Sequence, residues 1–197
     1  MSYNQKIRLD KKKVFILGGS GLIGQQIVFN LSSLGAKIIV LDIKKNKSFK
    51  NNIIFKKFDC APTTSIEQRY KKIMKQYGCP EIFINCSYPR TFDWKKNTFK
   101  KNKFSSMQKN IDLQMSAHAW LSRLSAEGMV KSKIKGGIIN IGSIYGLLGQ
   151  DMTIYERTSM HENMTYPLIK GGLVNLTRQM ASDGNTPWCI GLGSGAA

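Results

Sequence analysis

Short apolar runs, each followed by polar or glycine-rich residues, recur along this chain and predict buried strands. Four of them are nearly continuous in Ile, Val, Leu or Phe, as strands covered on both faces of a parallel sheet should be. The third run alternates more and is expected near a sheet edge. The five predicted strands are Val14–Leu17, Lys37–Asp42, Asn52–Phe58, Glu81–Cys86 and Gly137–Ile141.

Helical periodicity fills the intervals between these runs. Ile27, Leu31 and Leu34 form one apolar stripe, and Gly35 is suited to end that helix. Residues 64–67 resemble a capping box that opens a second helix. A long helix is predicted before the fifth strand from apolar residues at Phe104, Met107, Ile111, Met115 and Leu121 or Leu124.

The alternation of strand and helix predicts an α/β fold with a doubly wound, Rossmann-type parallel sheet, and right-handed crossovers give the strand order 3-2-1-4-5. The last residues break this pattern, because no Lys or Arg follows Arg178 and residues 185–197 have neither helical nor strand periodicity. We therefore expect the last strands of such a sheet to be lacking, through truncation or a shifted reading frame. The predicted organisation is a basic arm at 1–12, a dinucleotide-binding Rossmann domain with the catalytic residues at 13–181, and an irregular tail at 182–197.

Composition fits one globular domain, with 197 residues and 42% hydrophobic content. No apolar run approaches the ~20 residues that span a bilayer, and the polar N-terminus has no signal-peptide core. This predicts a cytoplasmic protein without a membrane partner. The four cysteines form no CxxC pair and no metal-ligand spacing, so we expect reduced thiols and no metal.

The net charge of +18 raises the alternative of a nucleic-acid-binding module. Only six of the thirty basic residues are arginine, and the densest cluster, Lys95–Lys103, lacks the repeated aromatic residues of a single-strand stacking surface. A genome rich in Lys and Asn codons would give the same composition without any such function. We therefore expect no nucleic-acid partner, and an acidic small-molecule substrate ranks somewhat higher.

The first predicted strand leads directly into glycines spaced three apart, Gly18, Gly21 and Gly24. A strand, a tight turn and a helix N-terminus in this order can cradle a pyrophosphate, because free N–H groups at the helix start face the anion. Gly18 permits the turn, Gly21 lets the backbone approach the phosphates, and Gly24 lets the helix pack closely on the strand. A glycine-rich turn without a ligand is the alternative.

Asp42 ends the second predicted strand, eighteen residues after Gly24. A carboxylate there accepts hydrogen bonds from a ribose diol and repels a 2′-phosphate, which favours NAD over NADP as cofactor. Lys44 and Lys45 weaken that preference, and a solvated acid at a strand end is the alternative.

Tyr166 and Lys170 are four residues apart, which places both on one face of a helix. A lysine cation beside the phenol stabilises phenolate, so this tyrosine could donate and accept a proton near neutral pH. Ser143 follows the fifth strand and would lie at the carboxyl edge of the sheet, where ligands bind. The alternatives are a turn residue for Ser143 and a polar surface position for Asn110, which lies inside the long helix.

Over residues 12 to about 181 the chain resembles a short-chain dehydrogenase/reductase. Gly18–Gly24 (GGSGLIG) resembles the family's phosphate loop, Asp59-Cys60 matches its adenine-contacting acidic position, and Asn85–Tyr88 (NCSY) stands at its Asn-Asn-Ala-Gly segment. The resemblance implies the catalytic residues Asn110, Ser143, Tyr166 and Lys170, and the cofactor-binding residues Gly18, Ser20, Gly21, Leu22, Ile23, Gly24, Asp42, Asp59, Cys60, Asn85, Cys86, Tyr166 and Lys170.

Ile84–Arg90 (INCSYPR) and Ile138–Gly146 (IINIGSIYG), together with an insert at Ile154–Met164, resemble the branch of flagellin-modification oxidoreductases. That branch is linked to nonulosonic acids such as legionaminic acid. The resemblance implies hydride transfer between NAD(P) and a carbonyl or alcohol, on a sugar or a nonulosonic-acid precursor. It also implies a homodimer or homotetramer, paired through the helices that hold Asn110 and Tyr166.

In that reaction Tyr166 would exchange a proton with the substrate oxygen, and Ser143 would hydrogen-bond the same oxygen. Lys170 would bind the nicotinamide ribose and favour the phenolate. Asn110 would hold a water for proton relay, and Asn85 would line the cofactor cleft.

Three of the chain's departures from the family pattern bear on its structure and function. Pro167 suits the first position of a helix, which would make Tyr166 the cap. The 23-residue gap from Ser143 to Tyr166 contains an insert that could form a substrate lid. Because the family's sixth strand, Pro-Gly turn and seventh strand are not recognisable, an inactive fragment that retains partial dinucleotide binding is the alternative function.

Overall fold

Strand and helix alternate along the chain in a computed structural model that describes residues 8–182 and 188–194. The strands are β1 (Lys13–Leu17), β2 (Lys37–Asp42), β3 (Ile54–Lys57), β4 (Ile82–Asn85), β5 (Gly137–Ser143) and β6 (Trp188–Ser194). The helices are α1 (Leu22–Ser33), α2 (Ile66–Tyr77), α3 (Phe104–Asn110), α4 (Ala117–Lys131) and α5 (Thr165–Ser182), with short 3-10 turns at Thr63–Ser65, Trp94–Lys96, Ile144–Gly146 and Met152–Tyr155.

The strands form one parallel sheet in the order β3-β2-β1-β4-β5-β6, which confirms the predicted order 3-2-1-4-5 for the first five. The direction in which strands are added reverses at β1. Leu17 of β1 therefore lies opposite Leu41 of β2 on one side and Asn85 of β4 on the other. In sheets of this type, ligands bind in the crevice at the carboxyl ends of the strands where that reversal occurs.

Both faces of the sheet are covered, as the nearly continuous apolar strands require. On one face Phe15 packs with Tyr70 of α2 and Leu121 of α4. On the other face Ile16 packs with Val28 of α1. Each such side chain contributes about 1.5–3 kcal/mol through burial, so the core holds the strand ends in fixed positions.

The last described strand differs from the sequence-based expectation. The prediction of an irregular tail at 182–197 is wrong for residues 188–194, because β6 pairs with β5 over its whole length, from Gly137↔Trp188 to Ser143↔Ser194. Backbone hydrogen bonds along the edge of β5 form this pairing, and they require no apolar alternation in the added strand. Residue 182 is the last residue of α5, and residues 183–187 and 195–197 of that tail, like residues 1–7 of the predicted arm, lie outside the described residues.

The described part of the predicted basic arm is hydrogen-bonded to the domain at the amino edge of the sheet. Leu9 donates its backbone N–H to the carbonyl of Leu34, over 2.9 Å. The backbone carbonyl of Lys12 accepts from the backbone N–H of Lys37, also over 2.9 Å. These bonds join the chain before β1 to the turn between α1 and β2.

Two helices differ locally from their predicted form. The capping box does not form, because Thr63–Ser65 is a 3-10 turn and α2 begins at Ile66 without a side-chain cap. The Ser65 hydroxyl instead accepts from Arg69 Nε, over 3.1 Å. Between α3 and α4 the helix widens into a π segment, Ile111–Ser116.

No helix in the described ranges is long and apolar enough to cross a membrane.

Candidate active site

Four predicted site residues meet at the carboxyl edge of the sheet because each comes at the end of a strand. Gly18 follows β1, and Asp42, Asn85 and Ser143 are the last residues of β2, β4 and β5. Asn85 lies on β4, which neighbours β1 at the point where the strand order reverses. The fold therefore brings residues far apart in sequence to one crevice.

The glycine-rich loop is built so closely that two of its positions exclude any side chain. Gly18 has a φ of +74°, and a Cβ there would lie 2.5 Å from the Cα of Ser87. A Cβ at Gly24 would lie 2.2 Å from the carbonyl oxygen of Gly18. At Gly21, by contrast, the nearest protein atom to a Cβ would be 3.4 Å away, so the protein itself leaves room for a side chain.

The start of α1 has the features of an anion site. Its N-cap, Gly21, supplies no side-chain acceptor, and the first turn contains no acidic residue. The first turn is open to solvent, with Leu22 82% and Ile23 49% exposed. The buried hydroxyl of Ser20 has no partner within the protein. Since unpaired N–H groups and the helix dipole favour negative charge, these residues fit the diphosphate of a dinucleotide.

Asp42 connects β2 to this loop. Its carboxylate accepts from the backbone N–H of Ser20 over 2.9 Å and from that of Ile43 over 2.7 Å. Both oxygens keep lone pairs free, so the carboxylate can also accept from a diol. The alternative of a merely solvated acid does not describe this residue.

Asp59 and Cys60 follow β3, at the far side of the same edge. The carboxylate of Asp59 is exposed and accepts from the backbone N–H of Ala61 over 2.9 Å. Cys60 is buried, and burial raises the pKa of its thiol to about 11. Cys60 is therefore an uncharged, mainly packing residue at neutral pH.

Tyr166 lies in the first turn of α5, inside the helix. The side chain of Asn163 accepts from the backbone N–H groups of Thr165 and Tyr166, over 3.0 and 3.3 Å. The expectation that Tyr166 is the helix cap is therefore wrong. Pro167 fits as the third helical residue because N–H groups of the first turn have no intrahelical acceptor to lose.

Lys170 lies one turn further along α5 and is 7% exposed. Its ammonium donates to the carbonyl of Ile141 over 2.8 Å, and Nζ is 5.8 Å from the centroid of the Tyr166 ring. Burial lowers the pKa of Lys170 to about 8. The predicted pairing of these two residues on one helix face is therefore present in the structure.

Aromatic rings surround Tyr166. Tyr88, Trp94 and Tyr145 all lie edge-on to its ring, at centroid distances of 6.1, 6.5 and 6.5 Å. The hydroxyl of Tyr145 is 2.6 Å from that of Tyr155 in the insert, so one predicted lid residue reaches the site. Sequence analysis missed this aromatic cluster, because its members come from two separate connections, after β4 and after β5, and show no periodic spacing.

Ser143 is 1% exposed, and its hydroxyl accepts from the backbone N–H of Tyr145 over 3.2 Å. This bond begins the 3-10 turn that follows β5. Ser143 is therefore a turn residue whose hydroxyl proton stays available as a donor.

Asn110 is fully buried, so its alternative as a polar surface position is wrong. Its amide oxygen accepts from the backbone N–H of Thr91 over 3.1 Å, and its amide nitrogen donates to the Thr91 hydroxyl and the Ser106 carbonyl, each over 2.8 Å. The π segment begins at the next residue. Such bulges are frequent at functional sites, where they redirect backbone groups.

Asn85 belongs to a buried polar chain that sequence analysis did not find. Its amide oxygen accepts from the hydroxyl of Ser87 over 3.0 Å, and that hydroxyl lies 2.7 Å from His118 Nε2. Burial lowers the pKa of His118 to about 3, so the ring is uncharged at neutral pH. No spacing in the sequence marks His118, because the π segment between Asn110 and His118 interrupts the 3.6-residue period.

Cys86 lies between Asn85 and Ser87 and is partly buried. Burial raises the pKa of its thiol to about 12, and the nearby charge of Lys170 lowers it by less. The residue is therefore a neutral thiol in the wall of the crevice.

Comparison with known proteins agrees with this fold and crevice. Residues 12–187 match the family model described as short chain dehydrogenase. Flagellin modification protein A of Campylobacter coli is 24% identical over 185 residues, covering 89% of this chain and 72% of that protein. Sorbitol-6-phosphate 2-dehydrogenase of Klebsiella pneumoniae is 25% identical over 156 residues, covering 75% of this chain and 58% of that protein.

Among solved structures, a short chain dehydrogenase of Leptospira borgpetersenii with bound NAD+ superimposes with a TM-score of 0.83. It is 24% identical, and the match covers 100% of this chain and 74% of that one. Fold and crevice define an α/β protein of the dinucleotide-binding class. The match over most of its length then shows that the chain belongs to the short chain dehydrogenase family of oxidoreductases.

Proposed function

We propose that this protein is an NAD(P)-dependent dehydrogenase or reductase that acts on a carbonyl or alcohol group. The observation that carries the proposal is the pairing of Tyr166 with buried Lys170 at the same sheet edge as the glycine-rich loop. When bound, the nicotinamide dinucleotide supplies the hydride chemistry. The protein then has to bind substrate, orient it and move a proton.

Tyr166 is the proton donor and acceptor in this proposal. The Lys170 ammonium lies 5.8 Å from the centroid of the Tyr166 ring, so a positive charge lies beside the reacting side chain. Ser143 ends the strand beside these residues and donates its hydroxyl proton to the substrate oxygen. Asn110 holds the loop after β4 against the start of the π segment, where it would position a water for proton relay.

The cofactor lies along the crevice between β1 and β4. Gly18, Ser20, Gly21 and Gly24 accommodate the diphosphate, with Leu22 and Ile23 exposed beside it. Asp42 accepts from the adenosine ribose, which favours NAD over NADP. The adenine lies toward Asp59 and Cys60, and Asn85, Cys86 and Lys170 border the nicotinamide half.

The proposed substrate is a sugar or a nonulosonic-acid precursor. The relatives support this choice, because one bears the name of a flagellin modification protein and another that of a sorbitol-6-phosphate dehydrogenase. The chain spans 72% and 58% of their lengths.

The cytoplasmic location of the protein stays a prediction.

A homodimer or homotetramer is proposed for the assembled protein. Trp120 and Val130 on α4 and Leu168 on α5 are 40%, 51% and 48% exposed, and helix faces with such apolar side chains are suited to pairing. Light scattering coupled to gel filtration measures the assembly. A monomer at micromolar concentration would contradict this part of the proposal.

The test follows nicotinamide absorbance at 340 nm with NAD+ or NADH and a panel of sugars, sugar phosphates and sugar acids. We expect Tyr166→Phe to lower kcat by about 10²–10⁴-fold, because the substituted ring cannot exchange the proton, while dinucleotide affinity stays unchanged. Unchanged turnover in Tyr166→Phe would refute the mechanism. Binding of NADH without turnover of any compound would favour the alternative of an inactive dinucleotide-binding fragment.

A further inference from the structure

The segment between β4 and α3, residues 86–103, borders the candidate site beside Tyr166; we call it the crossover loop. Two of its aromatic residues, Tyr88 and Trp94, contact the ring of Tyr166. Near its other end, Asn102 donates to the hydroxyl of Thr165 over 2.9 Å. The crossover loop therefore contacts the helix that carries Tyr166 and the Tyr166 ring itself.

The crossover loop is strongly basic even for this chain. Six of its eighteen residues are Lys or Arg, against thirty of 197 in the whole sequence. Its one acid, Asp93, accepts from the Ser106 hydroxyl over 2.9 Å. The six exposed basic residues form no salt bridge within residues 8–182, and they are Arg90, Lys95, Lys96, Lys100, Lys101 and Lys103.

Arg90 is held beside the site by Tyr88. Its guanidinium carbon lies 5.0 Å from the centroid of the Tyr88 ring, and that ring is 6.1 Å from the ring of Tyr166 and 5.9 Å from Lys170 Nζ. The guanidinium is thus no more than about 11 Å from the Tyr166 ring, a distance that a sugar-sized molecule spans. Stacking fixes the plane of the guanidinium and leaves its N–H edge free to bind an anion.

Arg123 provides a comparison within the same chain. It also stacks on an aromatic ring, with its guanidinium carbon 4.4 Å from the centroid of Trp120. There, however, Glu127 supplies a carboxylate partner on the same helix. Arg90 has the same stacked arrangement without any acidic partner in the described part of the chain.

We propose that Arg90 binds the anionic group of the substrate that reacts at Tyr166, and that the other basic residues of the crossover loop add to the positive potential there. The substrate class is a sugar-sized hydroxy or keto compound that carries a carboxylate or phosphate several atoms from the reacting carbon. Both anions match the bidentate edge of a guanidinium, and the surrounding positive potential raises their local concentration. This inference rests on the proposed function and adds the charge of the substrate to it.

The experiment measures binding to the full chain loaded with NADH by calorimetry, using D-glucose, D-gluconate and D-glucose 6-phosphate as neutral, carboxylate and phosphate probes. We expect at least one charged probe to bind about tenfold or more tightly than glucose, because charge-assisted hydrogen bonds contribute that much. Arg90→Gln should remove the preference. The matched variant Arg123→Gln should keep it.

Kinetics supply a second measurement with any alcohol that is turned over. Arg90→Gln should raise KM for charged substrates about tenfold and leave kcat within about twofold, which loss of folding would not do. Equal affinity for charged and neutral probes, or a preference that survives Arg90→Gln, would overturn the inference. So would failure of every probe to bind. Failure of NADH itself to bind would instead refute the proposed function.

Discussion

At the scale of single residues, the site depends on a cation kept out of water. Lys170 is buried between α5 and β5, where one backbone carbonyl and the rings of Tyr88 and Tyr166 surround its ammonium. Burial disfavours the charged form, so the lysine binds its proton less tightly in the folded chain than in the unfolded one. Its charge therefore lowers stability at neutral pH.

The pH dependence of folding tests this account. Between pH about 8 and 10.5 the unfolded chain keeps the Lys170 proton and the folded chain releases it, so this residue makes stability rise with pH in that window. Replacing it by Met should remove that rise and increase the free energy of unfolding at pH 7 by on the order of 2 kcal/mol.

Urea unfolding of the unsubstituted protein and of Lys170→Met at pH 7, 8, 9 and 10 measures the difference in their free energies of unfolding. The other titrating groups are common to both proteins and cancel in that difference. Lys170→Met should also lower kcat sharply, although the variant is more stable. Parallel stability curves for the two proteins across the window would contradict the argument.

At the scale of elements, the β1–α1 loop is the most tightly built part of the site. A Cβ at Gly24 would meet the Gly18 carbonyl oxygen at 2.2 Å and the Gly19 Cα at 2.7 Å, and neither backbone atom can rotate away. We expect Gly24→Ala to cost about 2 kcal/mol or more, roughly 4–8 °C in melting temperature, and to weaken dinucleotide binding at least tenfold.

Gly21→Ala is the matched control in the same loop. A Cβ there has ordinary contact distances, so the melting temperature should stay nearly unchanged. Because Gly21 caps the helix start, the added methyl group should still weaken binding of the diphosphate. If Gly21→Ala and Gly24→Ala lost stability equally, the close contact at Gly24 would not be the cause.

The elements also show how far sequence alone predicts this protein. Strands β1, β2 and β5 were predicted within two residues because burial on both faces requires continuous apolar runs. The π segment after Asn110 and the neutral His118 were not predicted, since both depend on tertiary hydrogen bonds that leave no local pattern. Strand β6 was missed because pairing to an existing edge needs only a free backbone.

At the scale of the whole molecule, β6 closes the edge of the sheet next to the site. Its parallel pairing covers all seven residues of β5, including Ser143. Without it, the backbone groups of β5 would face solvent and offer a template for other chains.

Deletion of residues 188–197 tests this role. We expect the melting temperature to fall by roughly 5 °C or more and light scattering to report self-association, because the exposed strand pairs with other chains. Deletion of 195–197 alone, which leaves the strand intact, is the control. A shortened chain that stays monodisperse with an unchanged melting temperature would assign β6 no part in stability.

The register of the outer strands has a practical consequence for handling the protein. Ser194 lies opposite Ser143, so the polypeptide leaves β6 immediately beside the crevice. The opposite end of the sheet is where Lys12 and Lys37 meet, far from every reacting group. An affinity handle or surface attachment at the amino end should leave the crevice accessible, whereas one fused at the carboxyl end would crowd its entrance.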